Sequence, residues 1–240
     1  MFSRAWLPLC AEGQIARTGD FLAQSVGGWS VLGVRDKEGA VRVLRNACRH
    51  QNMPVAGQPT GSCASFRCRF HGWTYDLQGK FLSAPPPVAP ADSSPGANDL
   101  QALPVRQAAG LVFFAMDEGV PGVFPTDPEQ PYSGTAVTDI ACNWKVCVEH
   151  LLGSEPGWFS PLLAVRRSGP AVLVDQVVPH TFLRTKLFTH VYGGAAEAQT
   201  AIKEACERLQ TERASGTPAQ GGALVAAFHK QLDEAYAGSS

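Results

Sequence analysis

Two short segments of the 240-residue chain each place one cysteine close to one histidine. The first reads Cys48-Arg-His50, and the second, separated from it by 17 residues, reads Cys68-Arg-Phe-His71. Thiolate and imidazole are strong ligands of transition metals, and such spacings in an intracellular chain indicate metal more often than disulfides. Runs of alternating apolar residues flank both segments. The pattern therefore predicts two loops between β-strands that meet around a metal centre.

Two kinds of metal centre accept two cysteines and two histidines. In a Rieske-type [2Fe–2S] cluster one iron takes both cysteines and the other takes both histidines, and the neutral imidazoles raise the reduction potential. A structural zinc ion is the alternative, but zinc fingers group Cys with Cys and His with His. One residue of each kind per loop favours the Rieske cluster, with four predicted ligands: Cys48, His50, Cys68 and His71.

Residues from about 6 to 116 resemble the Rieske domain that opens the large (alpha) subunit of Rieske non-haem iron ring-hydroxylating oxygenases. The resemblance rests on Trp6, Gly19-Asp20, 34–36, Gly39, 46–50, Gly61, 68–76 and Gly79. Family members usually carry Arg-Gly directly after the first histidine, where this chain has Gln51-Asn52. Met53 and Phe70 replace the cysteines that form a disulfide in respiratory-chain Rieske proteins, which favours the oxygenase type.

The stretch Asn143-Trp144-Lys145 resembles the start of the family's catalytic domain, in which two histidines and a carboxylate bind a mononuclear iron. In register with the family, the bridging carboxylate and the three iron ligands fall on Gly153, Pro156, Ser160 or Pro161, and, in a weaker alignment, Ile202. The resemblance therefore implies a shortened family member with no catalytic residues and no mononuclear iron. A replacement iron site would have to draw on His150, Glu155, His180 and His190.

The sequence predicts an α+β protein with an all-β Rieske domain over residues 1–130 and a truncated α+β remnant of the catalytic domain over 131–240. Hairpins are predicted within 20–48, 70–82 and 105–116. Helices are predicted over 144–152, 195–213 and 224–237, the last with Leu224, Phe228 and Leu232 on one face. Strands over 171–178 and 181–192 are predicted to meet at Pro179.

Several side chains near these motifs have two interpretations. Basic residues near the loops form either polar strand faces or a docking rim for an acidic electron donor: Arg45, Arg49, Arg67, Arg69 and Lys80. Phe70 and Trp73 are expected to shield the metal centre by packing. Glu149 and Glu155 are expected at a solvated helix edge or at a partner contact. The remaining cysteines are expected to be small buried residues: Cys10, Cys63, Cys142, Cys147 and Cys206.

Composition narrows the classes of partner. The net charge is −1, which favours neither nucleic acid nor an acidic membrane. The longest apolar run, 108–116, falls short of the roughly 20 residues that a membrane helix needs. No signal peptide is recognisable at the N-terminus. We therefore expect a cytoplasmic protein that binds neither nucleic acid nor membranes.

Three functions fit the sequence. The first is an electron-transfer subunit in a trimer-based hetero-oligomer with a complete Rieske oxygenase large subunit, supplied with electrons by a ferredoxin or reductase. This follows from the resemblance, because family large subunits form rings in which one subunit's Rieske cluster serves its neighbour's iron. The second is an oxygenase with an unusual iron site. The third is a stand-alone Rieske ferredoxin with an added domain.

Overall fold

The computed structural model describes residues 5–120, 122, 124–153, 158–160, 162–217 and 222–237. They fall into two compact units, the first ending at Gly122 and the second comprising the residues that follow. Antiparallel sheets dominate both units, and the described α-helices lie in the second. The predicted α+β class is confirmed, whereas the predicted boundary between residues 130 and 131 stays a prediction.

The first unit consists of short antiparallel strands in three sheets. Its strands are β1 (Leu7–Ala11), β2 (Asp20–Val26), β3 (Trp29–Arg35), β4 (Val41–Arg45), β5 (Thr60–Ser62), β6 (Phe66–Arg67), β7 (Thr74–Tyr75), β8 (Phe81–Ser83), β9 (Ala102–Leu103), β10 (Val105–Ala108) and β11 (Leu111–Phe114). The sheet orders are β5-β2-β3-β4-β9, β1-β11-β10 and β6-β7-β8. The hairpins predicted within 20–48 and 105–116 are confirmed. Of the hairpin predicted over 70–82 only the later part forms, because residues 68–73 make a loop.

Two hairpin turns in this unit share the sequence pattern Asp-x-x-Gly, at 36–39 and 76–79. In each, the aspartate accepts hydrogen bonds of 2.8–3.0 Å from the backbone N–H groups two and four residues later. The glycines adopt φ angles of 79° and 83°, which a side chain would disfavour. Gln78 Nε2 donates to Glu38 Oε2 at 2.8 Å, so the turns lie side by side.

The core beneath the two cysteine–histidine loops is apolar and includes both loop cysteines. Leu32, Leu44, Phe66 and Tyr75 are among its buried members, and Cys48 and Cys68 belong to the same cluster. Burying these side chains contributes roughly 1.5–3 kcal/mol for each large apolar residue. The two loops therefore pack against the hydrophobic core of the first unit through their cysteines.

The second unit has one five-stranded antiparallel sheet and three helices. Its elements are β12 (Tyr132–Ile140), α1 (Trp144–Gly153), β13 (Trp158–Ser160), β14 (Leu163–Ser168), β15 (Ala171–Thr181), β16 (Arg184–Tyr192), α2 (Thr200–Ala214) and α3 (Ala223–Ala237). The sheet order is β12-β16-β15-β14-β13. Helix α1 contacts α2, α3 and β15. Among the described residues, no helix combines the length and apolar character needed to cross a bilayer.

The predicted meeting of two strands at Pro179 is wrong. Strand β15 continues through Pro179 to Thr181, and the turn lies at Phe182 and Leu183. Beyond Gln176, β15 pairs with β16 and no longer with β14. A proline on that unpaired side removes no ladder hydrogen bond, so the strand tolerates it.

Two of the predicted helices differ from the observed ones in detail. Helix α2 begins at Thr200 rather than at 195, next to the contact in which Gln199 N donates to Thr138 Oγ1 at 3.0 Å. Helix α3 buries Val225, Phe228 and Leu232, whereas Leu224 is 46% exposed. The buried face therefore follows i, i+3, i+7 spacing, and the prediction for Leu224 is wrong.

The cysteines outside the two loops behave as predicted, with one exception. Four of them are buried, and Cys63 is partly exposed. Within the second unit, the side chains of Cys142 and Cys147 lie near the Cys206 thiol and influence its pKa. Three small polarisable side chains thus fill the space where α1 and α2 meet the end of β12.

Candidate metal centre

The two cysteine–histidine loops have the same backbone hydrogen bonds. In the first, Asn52 N donates to Cys48 O at 2.7 Å, and Cys48 N donates to Met53 O at 2.8 Å. In the second, Gly72 N donates to Cys68 O at 3.0 Å, and Cys68 N donates to Trp73 O at 2.8 Å. The fourth residue has positive φ in both loops, 57° at Asn52 and 72° at Gly72. Asn52 thus adopts the conformation that glycine favours, since asparagine tolerates it better than most residues.

The loops bring like donors together. The Cys68 side chain lies near the Cys48 thiol and contributes to raising its pKa. The rings of His50 and His71 are 4.7 Å apart between centroids, at an interplanar angle of 81°. Each loop contributes one residue to the thiol pair and one to the imidazole pair. This is the arrangement that a cluster with one cysteine-bound and one histidine-bound iron requires.

His50 carries an unsatisfied nitrogen that fits metal binding. Its Nδ1 is buried and has no hydrogen-bond partner, and its ring stacks on Trp73 at 5.2 Å and 9°. A buried polar atom without a partner costs free energy, and a metal bond would remove that cost. The donor set and this orphaned nitrogen therefore fit a Rieske cluster.

Tyr75 on β7 connects the first loop to the core. Its hydroxyl oxygen accepts from Arg49 N at 3.1 Å and lies 3.2 Å from Cys48 Sγ. Either group can donate in the second contact, and a metal-bound Cys48 thiolate would accept the proton of the hydroxyl. Burial raises the pKa of Tyr75 and of the Cys48 thiol. The sequence alone does not predict this contact. The alternation of exposed and buried positions along the strand predicts only that the Tyr75 side chain points into the core.

Asn46 holds the first loop at its base and was not predicted as a site residue. Its buried Oδ1 accepts from Val55 N and Ala56 N, both at 3.0 Å, and Nδ2 donates to Ala56 O at 3.0 Å. One side chain thus connects the start of the loop to its end. The signal in the sequence was a polar residue directly after an apolar strand, where the pleat would bury it.

Two expectations about the loop surroundings have different outcomes. Trp73 is buried, and its indole N–H donates to Val88 O at 2.8 Å, so its predicted packing role is confirmed. Phe70 is 58% exposed, so the prediction that it shields the centre by packing is wrong. The loop conformation directs its side chain outward next to His71.

In the second unit, the candidate residues for a replacement iron site are dispersed. His190 is fully buried, with Nδ1 2.7 Å from Thr135 Oγ1 and Nε2 3.1 Å from Gln176 Oε1. Burial lowers its pKa to about 3, as expected for a structural histidine. His180 is exposed and His150 half-buried. Glu155 lies outside the described residues.

The positions aligned with the family's iron ligands are only partly visible. Gly153 ends α1, and Ile202 lies half-buried on α2. Pro156, Pro161 and the side chain of Ser160 lie outside the described residues. Within the part of the chain that the structure describes, no three His, Cys, Asp or Glu side chains surround a common point as ligands of a single ion would.

Glu149 is a structural residue, and the prediction of a solvated helix edge is wrong. Its side chain is 7% exposed, Oε2 lies 2.7 Å from Arg213 Nη2, and Oε1 lies 3.0 Å from His229 Nε2. The carboxylate of α1 therefore connects α2 and α3. Burial of a carboxylate is tolerated because cationic and polar partners compensate for the lost water.

Comparison with known proteins identifies the class. Residues 5–104 match the family described as Rieske [2Fe–2S] domain. The alpha subunit of biphenyl 2,3-dioxygenase from Rhodococcus jostii strain RHA1 is 33% identical over 171 residues, which is 62% of this chain and 36% of that subunit. The alpha subunit of biphenyl dioxygenase from Paraburkholderia xenovorans strain LB400 is 40% identical over 85 residues, 35% of this chain and 18% of that subunit.

Solved structures share the fold at low sequence identity. The quaternary ammonium Rieske monooxygenase CntA in its apo form has a TM-score of 0.69 at 17% identity, covering 92% of this chain and 82% of that chain. Naphthalene 1,2-dioxygenase has a TM-score of 0.64 at 15% identity, covering 87% and 71%. The first part of the chain is therefore a Rieske [2Fe–2S] domain, which decides against the zinc alternative. The chain is similar to alpha subunits of Rieske oxygenases, and it spans about a third of the length of the first curated relative.

Proposed function

We propose that the chain is an electron-transfer subunit of a Rieske oxygenase and serves the mononuclear iron of a complete large subunit in the same hetero-oligomer. The main support is a contrast between the two units. The first pairs thiol with thiol and imidazole with imidazole. In the second, Gly153 stands at the family's bridging carboxylate, and in the weaker alignment Ile202 stands at its carboxylate iron ligand. Neither side chain can donate to a metal.

The four loop residues would hold the cluster, Cys48 and Cys68 on one iron and His50 and His71 on the other. When bound, a Rieske cluster supplies reversible one-electron transfer at a potential between about −150 and +300 mV. The protein's contribution is to position and tune the ligands. Trp73 stacks on His50, Tyr75 donates to Cys48, and the loop cysteines are buried away from water.

A complete large subunit is the partner that this assignment requires, because we expect no mononuclear iron in this chain. The relatives are themselves named as alpha subunits, and subunits act in assemblies. Electrons would enter from a ferredoxin or reductase. The resemblance extends this to a trimer-based ring that contains both kinds of large subunit.

The second candidate is an oxygenase with an unusual iron site. Nothing in the described residues favours His190 as a ligand, because both its ring nitrogens already have partners. A third candidate, a stand-alone ferredoxin with an added domain, is less well supported. The fold similarity to CntA covers 92% of the chain and so extends into the second unit.

Co-expression with a complete large subunit and its electron donors tests the proposal. His71→Ala should abolish the electron paramagnetic resonance signal of this chain when it is purified alone, and it should lower the turnover of the co-expressed complex. His180→Ala, an exposed histidine on β15, is the matched control and should change neither. Unchanged turnover in the His71 variant after confirmed cluster loss would exclude the chain from the electron path.

Metal analysis separates the proposal from the oxygenase alternative. The purified chain should contain about two irons per molecule, both in the cluster. A third iron that survives in the His71→Ala variant would support a separate mononuclear site. Failure to co-purify with any large subunit would instead favour the stand-alone ferredoxin.

A further inference from the structure

Trp73 belongs to the second loop by its backbone and contacts the first loop by its side chain. Its carbonyl oxygen accepts from Cys68 N at 2.8 Å, which closes the second loop. Its indole ring stacks on the ring of His50, the histidine of the first loop, at 5.2 Å between centroids and 9° between planes. The residue therefore connects a proposed ligand in one loop to the conformation of the other.

Burial and two contacts hold the indole ring in place. The Trp73 side chain is 3% exposed, its Nε1–H donates to Val88 O at 2.8 Å, and the Phe81 ring lies 4.9 Å away at 56°. His50 needs such a neighbour, because a metal bond at its orphaned Nδ1 would fix that nitrogen but leave the ring free to turn about the bond. Stacking on a fixed indole restricts this rotation.

The two histidines differ in this respect. Among the residues that the structure describes, no aromatic ring stacks on His71, whose own ring meets that of His50 at an interplanar angle of 81°. Phe70, next to His71 in the chain, is 58% exposed. One imidazole of the pair therefore lies on an aromatic face and the other does not.

The indole face has an electrostatic effect on a metal-bound imidazole. The π face of tryptophan is negative and attracts positive charge more strongly than other aromatic side chains do. An imidazole bound to iron is partly positive, and more so in the oxidised cluster, which holds one electron fewer. The attraction is weakly screened because the indole is buried. The stack should thus favour the oxidised cluster and lower its reduction potential.

We infer that Trp73 is a positioning residue, which fixes the ring plane of His50 and lowers the reduction potential of the cluster through the face of its indole. The inference goes beyond the proposed function, because it concerns the Rieske cluster itself and does not depend on which partner receives the electron. It also assigns to the second loop a direct influence on a ligand of the first.

Fluorinated tryptophan tests the charge of the indole face with little change in its shape. Growth on monofluoro-, difluoro- or trifluorotryptophan labels all five tryptophans, and each fluorine makes the ring face less negative. The reduction potential of the cluster-loaded protein, measured by redox titration, should rise with each added fluorine. In Trp73→Phe, which keeps the other four tryptophans, the same labelling should leave the potential unchanged. No rise in the wild type, or an equal rise in both proteins, would overturn the inference.

Substitutions at Trp73 test the positioning role. Trp73→Leu removes the aromatic face and should raise the potential more than Trp73→Phe, which keeps a smaller face. Pulsed paramagnetic resonance of the reduced cluster resolves the hyperfine couplings of the two ligand nitrogens, and only one of the two should change. Trp29→Phe, at a partly buried tryptophan on β3, is the control and should leave the potential and both couplings unchanged. Equal changes in both couplings would indicate a general loosening of the site and reject the positioning role.

The outcomes separate this inference from the proposed function. The fluorine series keeps the native residue, so it decides the inference even if Trp73→Leu loses the cluster. A rise in potential with fluorine, together with unchanged turnover of the complex in His71→Ala, would keep the role of Trp73 and reject the relay. A potential that does not change with fluorine, together with lowered turnover in His71→Ala, would keep the relay and reject the role of Trp73.

Discussion

The two cysteine–histidine loops form the same backbone frame from different residues. Both place a residue with positive φ four positions after the cysteine, but the first uses Asn52 and the second uses Gly72. The first loop is connected across its base by the Asn46 side chain, whereas the second is held by the Trp73 indole against Val88 O. The two loops therefore share a backbone conformation although different residues adopt and stabilise it.

The loops also differ in how their cysteines are surrounded. The Cys48 thiol lies 3.2 Å from the Tyr75 hydroxyl, whereas among the described residues no hydroxyl group makes a hydrogen bond with Cys68. The histidines differ too, since His50 stacks on Trp73 while His71 lies beside exposed Phe70. The neighbours of the first loop's cysteine and histidine are therefore buried side chains, whereas the histidine of the second loop has an exposed neighbour.

Substitution of any of the four proposed ligands should have the largest effect. Cys48→Ala, Cys68→Ala, His50→Ala and His71→Ala should each remove the cluster, because the iron that loses a ligand then keeps only one protein ligand. Iron content and paramagnetic resonance measure the loss, with Cys63→Ala as the control for a cysteine next to the same core. Full retention of the cluster in one variant would show that the substituted residue is not a ligand and that the two loops do not contribute equally.

Removal of the Asn46 clamp should be the next largest effect. Asn46→Ala leaves two buried N–H groups and one carbonyl without this partner, which should cost about 2–4 kcal/mol of unfolding free energy. Trp73→Phe removes one hydrogen bond from the second loop and should cost less. Denaturant unfolding of both variants measures the difference, and a larger cost for Trp73→Phe would reverse the ranking of the loops.

Substitutions at the two residues with positive φ should differ in their effect on stability. A Cβ at Gly72 would approach Pro85 Cγ at 3.2 Å and Arg67 Nη2 at 3.3 Å, so Gly72→Ala should cost about 1–3 kcal/mol. Asn52→Gly keeps an accessible conformation and should change stability by less than about 1 kcal/mol. Thermal unfolding checks both. A severe loss in Asn52→Gly would show that the asparagine side chain has a role beyond its backbone angle.

Tyr75→Phe should have the smallest effect, confined to the potential. A hydrogen bond to a cluster sulfur favours the more negative reduced state, so its loss should lower the reduction potential. A bond of about 1 kcal/mol corresponds to roughly 40 mV for one electron. Redox titration followed by circular dichroism gives the value. An unchanged potential would indicate that the hydroxyl accepts a hydrogen bond from Arg49 N but has no effect on the cluster.

Local patterns in the sequence predicted the first unit well. Alternating apolar residues and the Asp-x-x-Gly turns place its hairpins, since both signals act between neighbours in the chain. The grouping of His50 with His71 followed from the chemistry of the donors. Asn46 and Tyr75 were not predicted because their partners lie 9 to 27 residues away, and no local pattern encodes those contacts.

Predictions in the second unit were wrong where tertiary partners decide burial. Leu224 is exposed because α3 buries its neighbour Val225, and helical spacing alone did not separate these two faces. Glu149 is buried because Arg213, far along the chain, pairs with its carboxylate, next to which His229 also lies. No strand was predicted over β12, whose side chains are mostly solvent-accessible and include few large apolar residues.

The contacts of α1 with α2 and α3 determine how far the chain can be trimmed. Removal of α3 takes away His229 as a partner of Glu149, and removal of α2 also takes away Arg213. Both deletions would also expose apolar side chains of α1 that are now buried, at a cost of roughly 25 cal/mol for each Å² of apolar surface returned to water. The last two helices are therefore an integral part of the second unit and not a dispensable tail.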